Sequence, residues 1–150
     1  MEKQRVVNTL NAFLKGQYMG IHAYEHYIEK LKDPEIKKEF QRIQQDHKQH
    51  ALKVAERIQN LEGVPVDNEG IVGSVQGFIS QFTVPDTTEG IVSSALKGEG
   101  YYGVQISEEI VHGDLDPESH MLIHDILDKD REHVNVLKNL RINTFSYAVS

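Results

Sequence analysis

His47 and His50, and again Asp130 and His133, stand three residues apart in two widely separated stretches of the chain. On a helix, residues at i and i+3 share one face, so each pair could grip one ion from adjacent turns. Cysteine is absent, which excludes thiolate nucleophiles, iron–sulfur clusters, disulfides and Cys-ligated zinc. Any metal must then sit on imidazole, carboxylate or amide oxygen, a set that suits iron, manganese, zinc or cobalt. A His-x-x-His taken singly is a weak signal, because many solvated helices carry one and this one lacks the adjacent Glu of the zinc-protease signature. The weight falls on whether the two pairs can be brought face to face.

The elements that would do so are legible as four helical segments, at about 2–31, 34–62, 87–113 and 117–141. Asp33-Pro34 and Asp116-Pro117 each supply an N-cap followed by proline at the first helical position, Gly63 stops the second segment, and Asp86 with Glu89 resembles a capping box. Between the second and third segments, residues 63–86 contain Pro65, Gly70, Gly73, Gly77 and Pro85. Ile71, Val72, Val75, Phe78, Ile79 and Phe82 in that stretch predict a small amphipathic helix lying on the bundle. Short, long, short connections make an all-α bundle of two hairpins joined by one long crossover. The halves also repeat, Lys15-Gly16-Gln17 returning as Lys97-Gly98-Glu99 and Asp33-Pro34-Glu35 as Asp116-Pro117-Glu118. A duplicated hairpin is the expectation.

Heptad spacing assigns each segment an inward seam. The first is apolar except for Gln17 and the tip of Tyr24, the second is interrupted by His47, His50 and Arg57, the third by Glu99 and Tyr102, and the fourth by Asp130 and His133. Gln17 and His50 are 33 residues apart across the first hairpin, and Glu99 and His133 are 34 apart across the second, which brings them to one level in antiparallel helices. Burying one such group without a partner costs on the order of several kcal/mol, so six must satisfy one another or hold an ion. His22, His26, His112, His120 and His124 lie off the seams and read as surface residues.

With those positions in place, the chain resembles the ferritin-like di-iron superfamily, near rubrerythrins and bacterioferritins, in which two helices each give a Glu and two give Glu-x-x-His. The resemblance puts Glu99 at a bridging-Glu position and His50 and His133 at the terminal-His positions. Gln17, His47 and Asp130 fall where the family has Glu, leaving two carboxylates where the family has four, enough charge for one divalent ion. Tyr24 and Tyr102 would hydrogen-bond to ligands from behind. The implied cofactor is iron, with manganese or zinc as alternatives, and the implied activity is that of a ferroxidase or peroxide-reducing oxidoreductase in iron handling or oxidative-stress protection. The alternative is a non-catalytic bundle with a degenerate site, acting as a structural or interaction protein.

Composition narrows the rest. A chain of 150 residues reads as a single domain, 1–150. Lys plus Arg number 16 against 23 Asp plus Glu, a net charge of −7, which argues against nucleic acid as a partner. No run approaches a membrane span and the start leads into no signal-peptide stretch, so a cytoplasmic protein is expected. The few residues after 141 are too short for a fifth helix, and a homodimer is the expected assembly.

Overall fold

Asp33 shows how directly the helix signals act: its Oδ1 accepts the backbone N–H groups of Glu35 and Ile36 at 2.9 and 3.3 Å, satisfying donors that the first turn leaves orphaned. The computed structural model describes residues 2–67, 84–113 and 115–149, without the side chains of 102, 106, 111 and 144–149. Its elements are α1 (Glu2–Lys30), α2 (Pro34–Asn60), α3 (Thr88–Lys97), a π-helical segment (Gly98–Gln105), α4 (Ile106–Val111) and α5 (Pro117–Val149). No strand occurs among the described residues. Residues 88–111 are helical without a break and serve as the third of four rods. Both Asp-Pro-Glu repeats open helices, as their chemistry predicts. The amphipathic stretch expected around 71–82 lies outside the described residues. Among the described residues no helix is long and apolar enough to cross a membrane.

Three details depart from the expected boundaries. The third rod starts on Thr87, whose side chain accepts from Gly90 N at 3.0 Å, rather than on an Asp86–Glu89 box. Asp86 instead pairs with Lys30. The rod is regular only as far as Lys97, and the last helix runs on past 141 to Val149, since no Gly or Pro follows Arg141 to end it.

The side chains sort into two apolar clusters with a polar layer between them. Val6, Leu10, Phe13, Leu14, Val54, Ile58 and Ile123 centre one, and Tyr27, Phe40, Ile43, Ile91, Val92 and Leu137 centre the other. Arg57, which interrupted the second seam, clamps α2 to the start of α5: its Nη2 reaches Asp116 Oδ2 at 2.6 Å and its Nε donates to Ser119 Oγ at 3.0 Å.

The end of α2 has an unexpected arrangement. Glu62, not Gly63, takes the left-handed conformation, with φ 65°, and Gly63 N bonds back to Ile58 O at 2.9 Å. Gly63 is needed for space instead, because a Cβ there would fall 2.7 Å from Val7 Cγ2. Glu62→Gly is therefore expected to stabilise the protein by about 1 kcal/mol through relief of the left-handed strain. Gly63→Ala should destabilise it by about 1–3 kcal/mol through overpacking. Urea midpoints with an unchanged slope would report both, and equal effects of like sign would contradict this division of roles.

Candidate metal centre

Four rods each contribute to the polar layer: Gln17 and Tyr24 from α1, Asp46, His47 and His50 from α2, Glu99 from the π segment, and Asp130 and His133 from α5. His47 stands at the middle of it. Its Nε2 lies 2.6 Å from Glu99 Oε1 and its Nδ1 3.1 Å from Gln17 Oε1. Tyr24 donates its hydroxyl to the same Glu99 Oε1 at 2.8 Å. His133 Nδ1 is 3.6 Å from Asp130 Oδ1 and 4.0 Å from Glu99 Oε1. His47, Glu99, Asp130 and His133 each bring a ligand atom into a group lying within 4.8 Å, and all four are buried.

The structure places the other sequence-predicted residues around that group. Gln17 touches it through His47. His50 is buried with its ring 6.1 Å from that of His47 and stands outside the four-residue group. The side chain of Tyr102 lies outside the described residues. Asp46 was not anticipated, because it precedes His47 off the drawn seam; its Oδ2 meets His133 Nε2 at 2.8 Å. This fixes the imidazole with Nδ1 turned toward the centre, the usual way a carboxylate orients a ligating histidine. The π segment was also missed, although three glycines in six residues (Gly98, Gly100, Gly103) mark an irregular helix. π turns recur at functional sites. Here Gly103 leaves room for Glu99, since a Cβ on it would come within 3.2 Å of Glu99 Oε2.

Glu99 Oε2, both oxygens of Asp130, His133 Nδ1 and His50 Nδ1 are buried without hydrogen-bond partners. Native interiors rarely leave such atoms orphaned, and this donor set of oxygen and imidazole nitrogen fits a divalent cation. The electrostatics agree. Burial alone would strip the proton from His47, but Glu99, then Asp130 and Asp46, lift its pKa to about 9. Burial, helped by positive charge on His47 and His133, presses His50 down to about 4. Burial works against the Glu99 carboxylate, yet His47, His133 and Tyr24 hold it below its ordinary range. Asp130 is raised, burial being the largest influence. A proton on His47 thus supplies the positive charge a metal would otherwise bring.

Two cavities reach the centre from different sides. One of about 400 Å³ between α1 and the third rod has walls of Ala12, Gly16, Gly20 and Ala23 and a floor including His47 and Glu99. The other, of about 270 Å³ between α2 and α5, is charged and lined by Arg42, Asp46, Lys129, Glu132 and His133.

A family model described as a domain of unknown function, DUF2383, matches residues 5–110. No curated protein matches in sequence. Among solved structures, the bacterioferritin-related protein of Bacteroides fragilis, a dodecameric thioferritin, superimposes with a TM-score of 0.74 at 19% identity, over 97% of this chain and 89% of its own. A two-domain protein of Anabaena variabilis with DJ-1/ThiJ/PfpI-like and ferritin-like domains superimposes with a TM-score of 0.79 at 19% identity. That match covers 95% of this chain and 40% of the other. The fold is ferritin-like.

The shifted histidines set the pH behaviour of the metal-free protein. A histidine whose folded pKa is raised contributes stability that is complete below its unfolded value and lost as pH rises through the folded one. His47, raised to about 9, and His133, raised also, both act in that sense. The melting temperature without metal should fall between about pH 6.5, the ordinary histidine value, and pH 9. The gain on adding a divalent ion should grow over the same interval, because the ion replaces the departing proton. Thermal melts with and without zinc measure both, and a gain that shrinks with rising pH would contradict it. Gly103→Ala should weaken metal binding measurably with little change in fold, since the new methyl crowds Glu99 Oε2; unaltered affinity by calorimetry would remove that role.

Proposed function

We propose, for a chain that belongs to the DUF2383 family and folds as a ferritin-like bundle, that the buried cluster binds ferrous iron and supports its oxidation by dioxygen or peroxide. The observation carrying this reading is the set of orphaned, buried donor atoms on Glu99, Asp130 and His133 facing one another between two apolar clusters. Without a cation such an arrangement is costly. With peroxide as oxidant, two ferrous ions, bound one at a time in successive turnovers or at two centres, would give up one electron each while two protons are taken up, yielding two waters. Iron handling or protection against oxidative stress is the corresponding role, in the cytoplasm and in a homodimer, with manganese or zinc as the other ions the ligands accept.

The chain's own residues have separable tasks. Glu99 and Asp130 neutralise the ion, Tyr24 orients Glu99, and Asp46 holds the His133 ring with Nδ1 inward. His47 releases its proton as the ion arrives. The charged cavity beside Asp46 and Glu132 offers a hydrated cation a route, and the apolar cavity a route for a small neutral oxidant. One observation favours a second reading, a non-catalytic bundle with a degenerate site: the 2.6 Å His47–Glu99 contact partly closes the centre on itself.

Anaerobic ferrous titration followed by exposure to oxygen or peroxide decides between them. The proposed function gives one tightly held equivalent at the centre and a rise in ferric absorbance, both lost in Glu99→Gln. No ferrous binding, with no change in melting temperature on adding iron, would favour the degenerate bundle. Two carboxylates balance one divalent ion, so a second ion at the centre should bind poorly. Gln17→Glu combined with His47→Glu restores four carboxylates and should strengthen that second ion and speed ferrous oxidation. A native centre already holding two equivalents tightly, with nothing gained from the double replacement, would refute the charge argument.

A further inference from the structure

Six residues before Asp130 on α5, about 240° around the helix and about 9 Å along it, lies a cluster that plays no part in the buried centre. His124, Asp125 and Asp128 each present a ligand atom, all within 4.8 Å of one another, and all three residues are exposed. His124 Nδ1 is 3.5 Å from Asp128 Oδ2. His120, one turn earlier, stacks on His124 with ring centroids 6.4 Å apart and planes at 26°. His120, His124 and Asp128 follow one another at i, i+4 and i+8, which keeps them on one side of the helix.

Asp128 is also held in place. Its Oδ1 accepts Arg131 Nη1 at 2.9 Å, and Arg131 Nη2 in turn donates to Glu108 Oε1 at 2.8 Å. This leaves Oδ2 turned toward His124 Nδ1, so that the two can close on one ion. A solvated face of this kind is usually only that. An imidazole and two carboxylates gathered within one turn, one of them anchored by Arg131, however, form a nitrogen–oxygen set that borderline transition ions accept.

We propose that His124, Asp125 and Asp128 form a second, solvent-exposed metal site for a borderline divalent transition ion such as zinc, nickel or copper(II). His120, stacked on His124 one turn earlier, stands beside the group as a further nitrogen, and water fills the remaining positions. The site differs from the buried centre in being open on one side, so its ion exchanges freely and binds more weakly. It is independent of whether iron is oxidised in the core. It also bears on metal counting, because a second equivalent bound per chain would come from the surface of α5 and not from a two-ion core.

Zinc titration of the whole untagged protein by calorimetry, with retention on a nickel-charged chelating resin as a second readout, tests this. Wild type should show two classes of zinc site and be retained. His120→Ala with His124→Ala should lose the weaker class and the retention while keeping the tighter class and an unchanged circular dichroism spectrum. Asp128→Asn should weaken the surface class, and Glu99→Gln should leave that class intact. Because His22 and His26 are also spaced i, i+4 on α1, His22→Ala with His26→Ala serves as the control and should change neither readout. The proposal is overturned if the His120/His124 variant keeps every class of zinc site that wild type shows, or if retention vanishes only in the His22/His26 variant; a single wild-type class that the His120/His124 variant loses would support the surface site while counting against the core.

Discussion

The bundle must keep ionisable groups from four rods buried between two apolar clusters, and the arrangement around them follows from that. The contact that makes it tolerable is His47 to Glu99, 2.6 Å long and wholly inside. A buried pair of this kind gains little over an apolar core, but losing one partner costs about 3–5 kcal/mol. Gln17 and Tyr24 take up positions that serve the pair, the first on the imidazole and the second on the carboxylate. Asp130 is left over. With both oxygens unpartnered and burial raising its pKa, it is a liability to the metal-free fold, which is the usual sign of a residue kept for binding.

The surrounding structure insulates this layer from the ends of the bundle. Arg57 and its acceptors Asp116 and Ser119 fasten α2 to α5 at one end, and Lys30 fastens α1 to Val84 and Asp86 at the other. Tyr27 bonds across to Ser94 at 2.9 Å beside the centre. Polar contacts thus join the hairpins at three levels, and the apolar clusters fill the space between. The ligands are therefore mounted on rods whose separation is set elsewhere, as a preorganised site requires.

Most of the helical frame could be read from the chain because its signals are local: Asp33 capping its own helix, proline at each hairpin's second start, and seams with a helical period. The polar layer was legible for a different reason. Gln17, His47, His50, Glu99, Asp130 and His133 break otherwise apolar seams, and all six are buried. What spacing cannot carry is the rotation of a side chain about its own helix. Asp46 sits one residue off the seam and still reaches His133, while His50 sits on the seam yet stands apart from the four-residue group. The end of α2 escaped for a similar reason: the glycine is kept at 63 because Val7 leaves no room there for a side chain, a fact of packing and not of local sequence, while the left-handed residue is Glu62.

The π segment answers a difference in length between the two halves of the chain. From Lys15 to Asp33 is 18 residues, and from Lys97 to Asp116, the matching interval of the second half, is 19. The second copy holds one residue more, and within that interval the helix abandons its normal winding at Gly98–Gln105. A π turn, closing over one residue more than an α turn, lets a helix accommodate an insertion without rotating the residues beyond it out of register. The extra residue of the second half is thus taken up at the level where Glu99 meets His47, and the winding of the bundle is irregular at the place where its chemistry is concentrated.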